Sequence, residues 1–181
     1  MPRNRRPRDA DEKRDEIVAA AQGLFRELGY DKASMARIAV SAGVTANTIY
    51  WYFTAKDEVL VAVLDKDFAT ALAGYEQLTD LPLVERLCWV VRWLRDTRML
   101  VDTVHARAGL SPTIAAWHDR FHATADHILA EELRAAGATE STVAPAAKNI
   151  TFVIEALLTH PQDDATELTM LELLVRSVVP A

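Results

Sequence analysis

One cysteine in the chain, Cys88, excludes an intramolecular disulfide, and its apolar neighbours point to a buried thiol. No uninterrupted apolar run approaches the roughly 20 residues that a bilayer-spanning helix needs. The basic start is not followed by the apolar core of a secretory signal. A cytoplasmic protein without membrane contact is the expectation. Strand-like alternation is scarce, with no sustained β-branched runs bounded by turns. No internal repeat or low-complexity segment is visible. Phosphate-cradling glycine loops, nucleophile elbows and paired catalytic carboxylates are also missing. These absences predict an all-α protein that is not an enzyme and needs no cofactor.

What the chain does have is apolar residues and unevenly placed charge. Half of its 181 residues are hydrophobic, which suits several helices packed on more than one side. The net charge of −6 argues at first against a nucleic-acid partner. Its distribution reverses that argument. Residues 1–60 carry ten Lys/Arg against nine Asp/Glu, whereas residues 61–181 carry ten against seventeen. An acidic C-terminal body on a more basic head orients the head toward DNA. Arg3, Arg5, Arg6 and Arg8 concentrate positive charge in residues 1–10, read as a flexible basic arm that neutralises phosphates or enters a minor groove. A solvated tail without a DNA contact explains the same residues.

Periodicity then divides the chain into helices. Asp11 to Leu28 carries Ile17, Val18, Ala21, Leu24, Phe25 and Leu28 on one face and ends at Gly29-Tyr30. In the next stretch, Ser34 is placed to cap a short helix with Met35, Ile38 and Ala39 on its apolar side. Gly43 permits a sharp turn, with Val44 plugged into the core behind it. Thr45 caps the following helix, whose Ile49 and Phe53 point inward at a spacing of four. This is a helix-turn-helix, whose second helix normally enters the major groove. Thr54 caps a fourth, long helix, with Asp57 three residues on in a capping-box position.

The string AGVTANTIYWYFTAKDEVL, with the long capped helix before it, resembles the TetR (tetracycline-repressor) family of bacterial regulators over about the first third of the chain. The glycine turn, Thr48-Ile49-Tyr50, the aromatic residue before Phe53 and Lys56 all fall where that family has them. The resemblance implies a three-helix DNA-binding head (residues 11–56) and a C-terminal ligand-binding and dimerisation body (residues 57–181). It makes Tyr50 and Lys56 phosphate contacts. The residues themselves add Thr45, Asn47 and Thr48 at the start of the recognition helix. Asn47 is the candidate for bidentate readout of adenine, and contact with phosphate alone is the competing reading. Of Trp51 and Tyr52, one is expected to wedge into the core while the other reaches the DNA backbone. Arg37 is a candidate for phosphate or guanine, or equally a solvent-facing residue. Ala46 lacks a group for base readout.

The body reads as five further helices, for about nine in all. They begin at Pro82, near Arg98, at Ser111-Pro112, near Ser141 and near Asp164. The last two are apolar nearly all round. Ile150, Val153, Ile154, Leu157, Leu168, Leu171, Leu174, Val175 and Val178 are therefore read as a dimer interface, and the TetR resemblance implies a four-helix one. Ordinary core helices of a monomer are the alternative. Trp89, Trp93, His105, Trp117, Phe121 and His122 are the candidate lining of a small-molecule pocket, although aromatic pairs four residues apart also build plain core. A rival reading takes His118, His122 and Asp126 as transition-metal ligands on one helix face, with His105 or His127 completing the set. That reading makes a metal-responsive regulator or, in its stronger form, a helical-bundle metalloenzyme; a solvated polar face accounts for the same residues. The expectation as a whole is a homodimeric repressor, released from a palindromic DNA operator by a small-molecule effector.

Overall fold

The computed structural model of the chain describes residues 7–179, with side chains from residue 10 onward. These residues form nine α-helices and no strand: α1 (Pro7–Leu28), α2 (Met35–Ser41), α3 (Ala46–Tyr52), α4 (Lys56–Glu76), α5 (Leu83–Asp96), α6 (Arg98–Ala108), α7 (Pro112–Ala135), α8 (Glu140–Thr159) and α9 (Asp164–Arg176). Helix α1 opens at Pro7, within the segment expected as an arm, because proline at a first helical position gives up no hydrogen bond. Arg3, Arg5 and Arg6 of that arm, and the side chain of Arg8, lie outside the described residues.

The chain divides into two compact units. The first runs up to Thr70 and takes in Met99–Ala115, segments that a linear division at residue 56 leaves to the body. Local chemistry sets its helix-turn-helix. The Ser34 side chain accepts from the Arg37 N–H, and the Thr45 side chain accepts from the Thr48 N–H. Between the two helices, Gly43 N–H bonds the Val40 carbonyl and Val44 N–H bonds the Ala39 carbonyl. This paired closure needs the left-handed backbone that Gly43 adopts at φ 64°. Ile17, Phe25, Ile38, Ile49 and Leu60 are fully buried, so α1, α2, α3 and α4 each contribute to one core.

At the start of α4 the expected cap partner is replaced. Glu58, not Asp57, reaches back to the Thr54 N–H and hydroxyl, both at 2.7 Å. Asp57 is instead drawn inward. Arg107 of α6 donates Nε to Asp57 Oδ1 at 3.0 Å and Nη2 to Oδ2 at 2.9 Å, a two-pronged charge-assisted contact. The Tyr30 hydroxyl also donates to Asp57, and the Lys56 ammonium donates to the Tyr30 carbonyl at 2.8 Å. Lys56 Nζ lies 3.9 Å and Arg107 Cζ 4.5 Å from the centre of the Tyr30 ring. Burial raises the Asp57 carboxyl, but the hydrogen bonds from Arg107, Tyr30 and Ser111 outweigh it and bring the pKa down to about 2. Burial and then the bond to Asp57 push the Tyr30 phenol well up.

The second unit, Ala71–Arg98 with residue 116 onward, is organised around α5, which packs on α8 and α9. Buried charge pairs fix the helices in place. Arg86 of α5 pairs with Glu132 of α7, and Arg95 donates to Glu167 of α9 at 2.7 Å. Arg98 donates to the Leu158 carbonyl in the last turn of α8, where a cation meets the negative helix end. Cys88 is buried as expected, and burial raises its thiol pKa. Four residues assigned from sequence to a dimer interface, Ile150, Ile154, Leu157 and Leu171, are buried inside this unit and form its core. The two helices meet α5 and each other.

Arg107→Ala and Asp57→Ala should each lower the urea-derived stability by about 1.5–3 kcal/mol, with the double variant well short of their sum. The Asp57 pKa is depressed in the folded state, so its stabilising effect is complete above the ordinary carboxylate value of 3.8 and is lost as pH falls through about 2. Urea midpoints measured across that range should fall less steeply in Asp57→Asn than in the parent.

Candidate functional site

Helix α3 has two contrasting faces. Ile49 is fully buried, and Phe53 caps the helix from inside at 2% exposure. The opposite side carries Ala46, Asn47, Tyr50 and Trp51, all exposed. Tyr50 is 53% and Trp51 73% exposed, large apolar areas for a helix of seven residues. The Trp51 ring meets Tyr52 edge-on with centroids 4.6 Å apart. Tyr52 is the half-buried member of that pair and Trp51 the outward one. The Thr45 and Thr48 hydroxyls lie 2.9 Å apart and bond to each other, which ties Thr48 to the cap. Arg37 is exposed on α2 and donates to the Lys32 carbonyl at 3.3 Å. Lys56 is half-buried on Tyr30, and burial lowers its pKa.

The second candidate site is a cleft of about 400 Å³ in the second unit, lined from α7 by His118, Asp119, His122, Ala123 and Asp126 and from α8 by Lys148, Thr151, Phe152 and Glu155. The spacing of four puts His118, His122 and Asp126 on one face of α7. The two imidazoles approach with Nε2 atoms 3.1 Å apart, and His122 Nε2 is also 3.1 Å from Glu155 Oε1. Asp126 is committed elsewhere, accepting from the Thr151 hydroxyl at 2.8 Å. The Glu155 hydrogen bond raises the His122 pKa above its ordinary 6.5, against the lowering effect of burial.

The residues expected from sequence to line a pocket have different surroundings. His122 lines the cleft. Trp117 is buried and stacks on Phe121 with centroids 5.3 Å apart, a core contact. Trp89 packs over Gly74, where an added Cβ would lie 3.2 Å from its ring, and against Tyr75. Trp93 is half-buried on α5, and His105 is exposed on α6 in the first unit. Lys148, Thr151, Phe152 and Glu155 complete the cleft from a helix whose sequence reads as generally apolar and gives no sign of it. The i, i+4 pattern of α7 was the one signal in reach, and it names one wall of the cleft.

On the outer surface of the last two helices, Phe152 (55% exposed), Leu168 and Leu173 (65%) are bare apolar side chains. Val153, Leu174, Val175 and Val178 are half-buried.

Comparison with known proteins matches this geometry to a family. The family model for bacterial regulatory proteins, tetR family, matches residues 17–63, from α1 into α4. The HTH-type transcriptional regulator UidR of Escherichia coli is 28% identical over 132 residues, 70% of this chain and 67% of that protein. GusR of Salmonella enterica superposes with a TM-score of 0.75 at 18% identity, covering 99% of this chain and all of that one. The multidrug binding protein EbrR, in a structure complexed with imidazole, superposes with a TM-score of 0.68 at 23% identity, covering 93% and 97%.

The two sites differ in what truncation should cost. Trp117→Ala, inside the core, should lower stability by about 3–5 kcal/mol in urea titration. Trp51→Ala, on the outer face of α3, should change it by no more than about 0.5 kcal/mol.

Proposed function

Because the chain belongs to the TetR family of bacterial regulatory proteins, we propose that it is a cytoplasmic, homodimeric transcription regulator that binds a roughly palindromic operator. The observation that carries this reading is the outward face of α3. A helix locked by Ile49 and Phe53 presents Asn47, Tyr50 and Trp51 outward at the position of a recognition helix. In the complex Asn47 reads a base edge, and Tyr50 and Trp51 lie along the groove wall. Lys56 and Arg37 contribute positive charge toward the backbone, and Thr45 and Thr48 set the start of the helix.

A second copy of the chain supplies the second half-site reader. The bare Phe152, Leu168 and Leu173, with half-buried Val153, Leu174, Val175 and Val178, support pairing through α8 and α9. Repression follows from exclusion of polymerase at the operator. A small molecule held in the α7–α8 cleft releases the DNA, provided it binds the DNA-incompetent state of the dimer more tightly than the competent one. The structural likeness to the multidrug binding protein EbrR supports a ligand-binding body of this kind.

Selection of bound fragments from random DNA by the purified protein should enrich a dyad-symmetric site; enrichment of no symmetric site would overturn the proposal. On that site, Asn47→Ala should relax preference at one base position by about 1–3 kcal/mol, whereas Tyr50→Ala should weaken all sequences alike in gel-shift titration. Leu173→Glu should shift the chain from dimer to monomer in sedimentation and abolish operator binding at concentrations where the parent saturates. A dimer unchanged by this charge would remove α9 from the interface.

A further inference from the structure

We propose that His118 and His122 of α7 and Glu155 of α8 form a binding site for a divalent transition-metal ion of the zinc class. One ligand atom from each residue lies within 4.8 Å of the other two. Two of the separations, His118 Nε2 to His122 Nε2 and His122 Nε2 to Glu155 Oε1, are both 3.1 Å. A tetrahedral shell with metal–ligand bonds of about 2.0–2.1 Å has edges of about 3.3 Å. Two of the three edges are therefore close to those that such an ion requires, and the third lies within 4.8 Å.

The convergence of these atoms favours a cation. His122 Nε2 lies at the same distance, 3.1 Å, from His118 Nε2 and Glu155 Oε1, so three atoms able to ligate a metal converge from two helices. A metal ion among the three atoms would take one lone pair from each. Its surroundings suit the charge. The Asp119 carboxylate lies 3.8 Å from His118 Nδ1, on the far side of that ring, where an acidic neighbour favours Nε2 as the ligating nitrogen. Asp126, anchored by Thr151, adds negative charge without taking a ligand position. Two imidazoles and one carboxylate select zinc, cobalt, nickel or copper over magnesium or calcium. The cleft beside them leaves room for a fourth ligand from water or a small molecule.

This set differs from the one expected from sequence: Glu155 on the neighbouring helix replaces Asp126. The proposal does not depend on the DNA-binding reading, since it concerns only α7 and α8 of the second unit.

The test uses the full chain without a polyhistidine tag, titrated with cobalt(II) alone and followed by visible absorption. The parent should take up one cobalt per chain and give the intense d–d bands of a low-symmetry site. Glu155→Gln, which keeps the side-chain shape, and His122→Ala should each lose the bands or weaken binding at least tenfold. His127→Ala, an exposed histidine on the same helix, should bind as the parent does. Circular dichroism establishes that each variant is folded. If His122→Ala is not, Glu155→Gln decides the result by itself. No cobalt uptake by the parent, undiminished binding in Glu155→Gln, or an equal loss in His127→Ala would each overturn the assignment. Zinc should raise the thermal midpoint of the parent and not that of Glu155→Gln.

Discussion

The first unit depends on one inward-turned carboxylate. Asp57 opens the long α4, where its charge is also favourable at a helix N-terminus. The two-pronged contact from Arg107 and the hydrogen bond from Tyr30 hold it at the junction of three segments: the end of α1, the start of α4 and the last turn of α6. A half-buried carboxylate without such partners would be costly, so the three segments come together around the charge. Lys56 on the Tyr30 carbonyl closes the same cluster. This is why α6, distant in the chain, belongs to the compact unit that carries the helix-turn-helix.

The consequence for α3 is a division of labour. The buried side of the head is settled by Ile38, Ile49, Phe53 and the paired turn around Gly43. The outer side is then free to carry residues that do nothing for folding. An exposed Trp51 beside an exposed Tyr50 contributes little to stability, and large apolar groups held in water are explained by a partner surface. The exposure of Phe152 and Leu173 likewise contrasts with the filled core behind them.

The body distributes its charges differently. Arg86, Arg95 and Arg98 all come from α5 or the residues just beyond it, and they reach α7, α9 and α8 respectively. Such pairs specify which helices meet more than they add to net stability. The cleft between α7 and α8 lies within the same unit and collects the histidines and carboxylates that these contacts do not use.

The sequence by itself determined whatever depends on neighbours within a turn or two. The helical class, the caps at Ser34 and Thr45, the glycine turn and the inward Ile49 and Phe53 follow from local hydrogen bonding and a period of 3.6 residues. The spacing of His118 and His122 is local in the same way. Only the tertiary structure decided where a residue with two possible partners would go. Asp57 left the cap to Glu58 for an arginine fifty residues away. Ile150, Ile154, Leu157 and Leu171 turned into their own unit, because an apolar helix side carries no mark of which surface covers it. Glu155 came to lie beside His122 while Asp126 accepts from Thr151 for the same reason: helical periodicity orders the residues on one helix, and only packing chooses which residue of a second helix faces them.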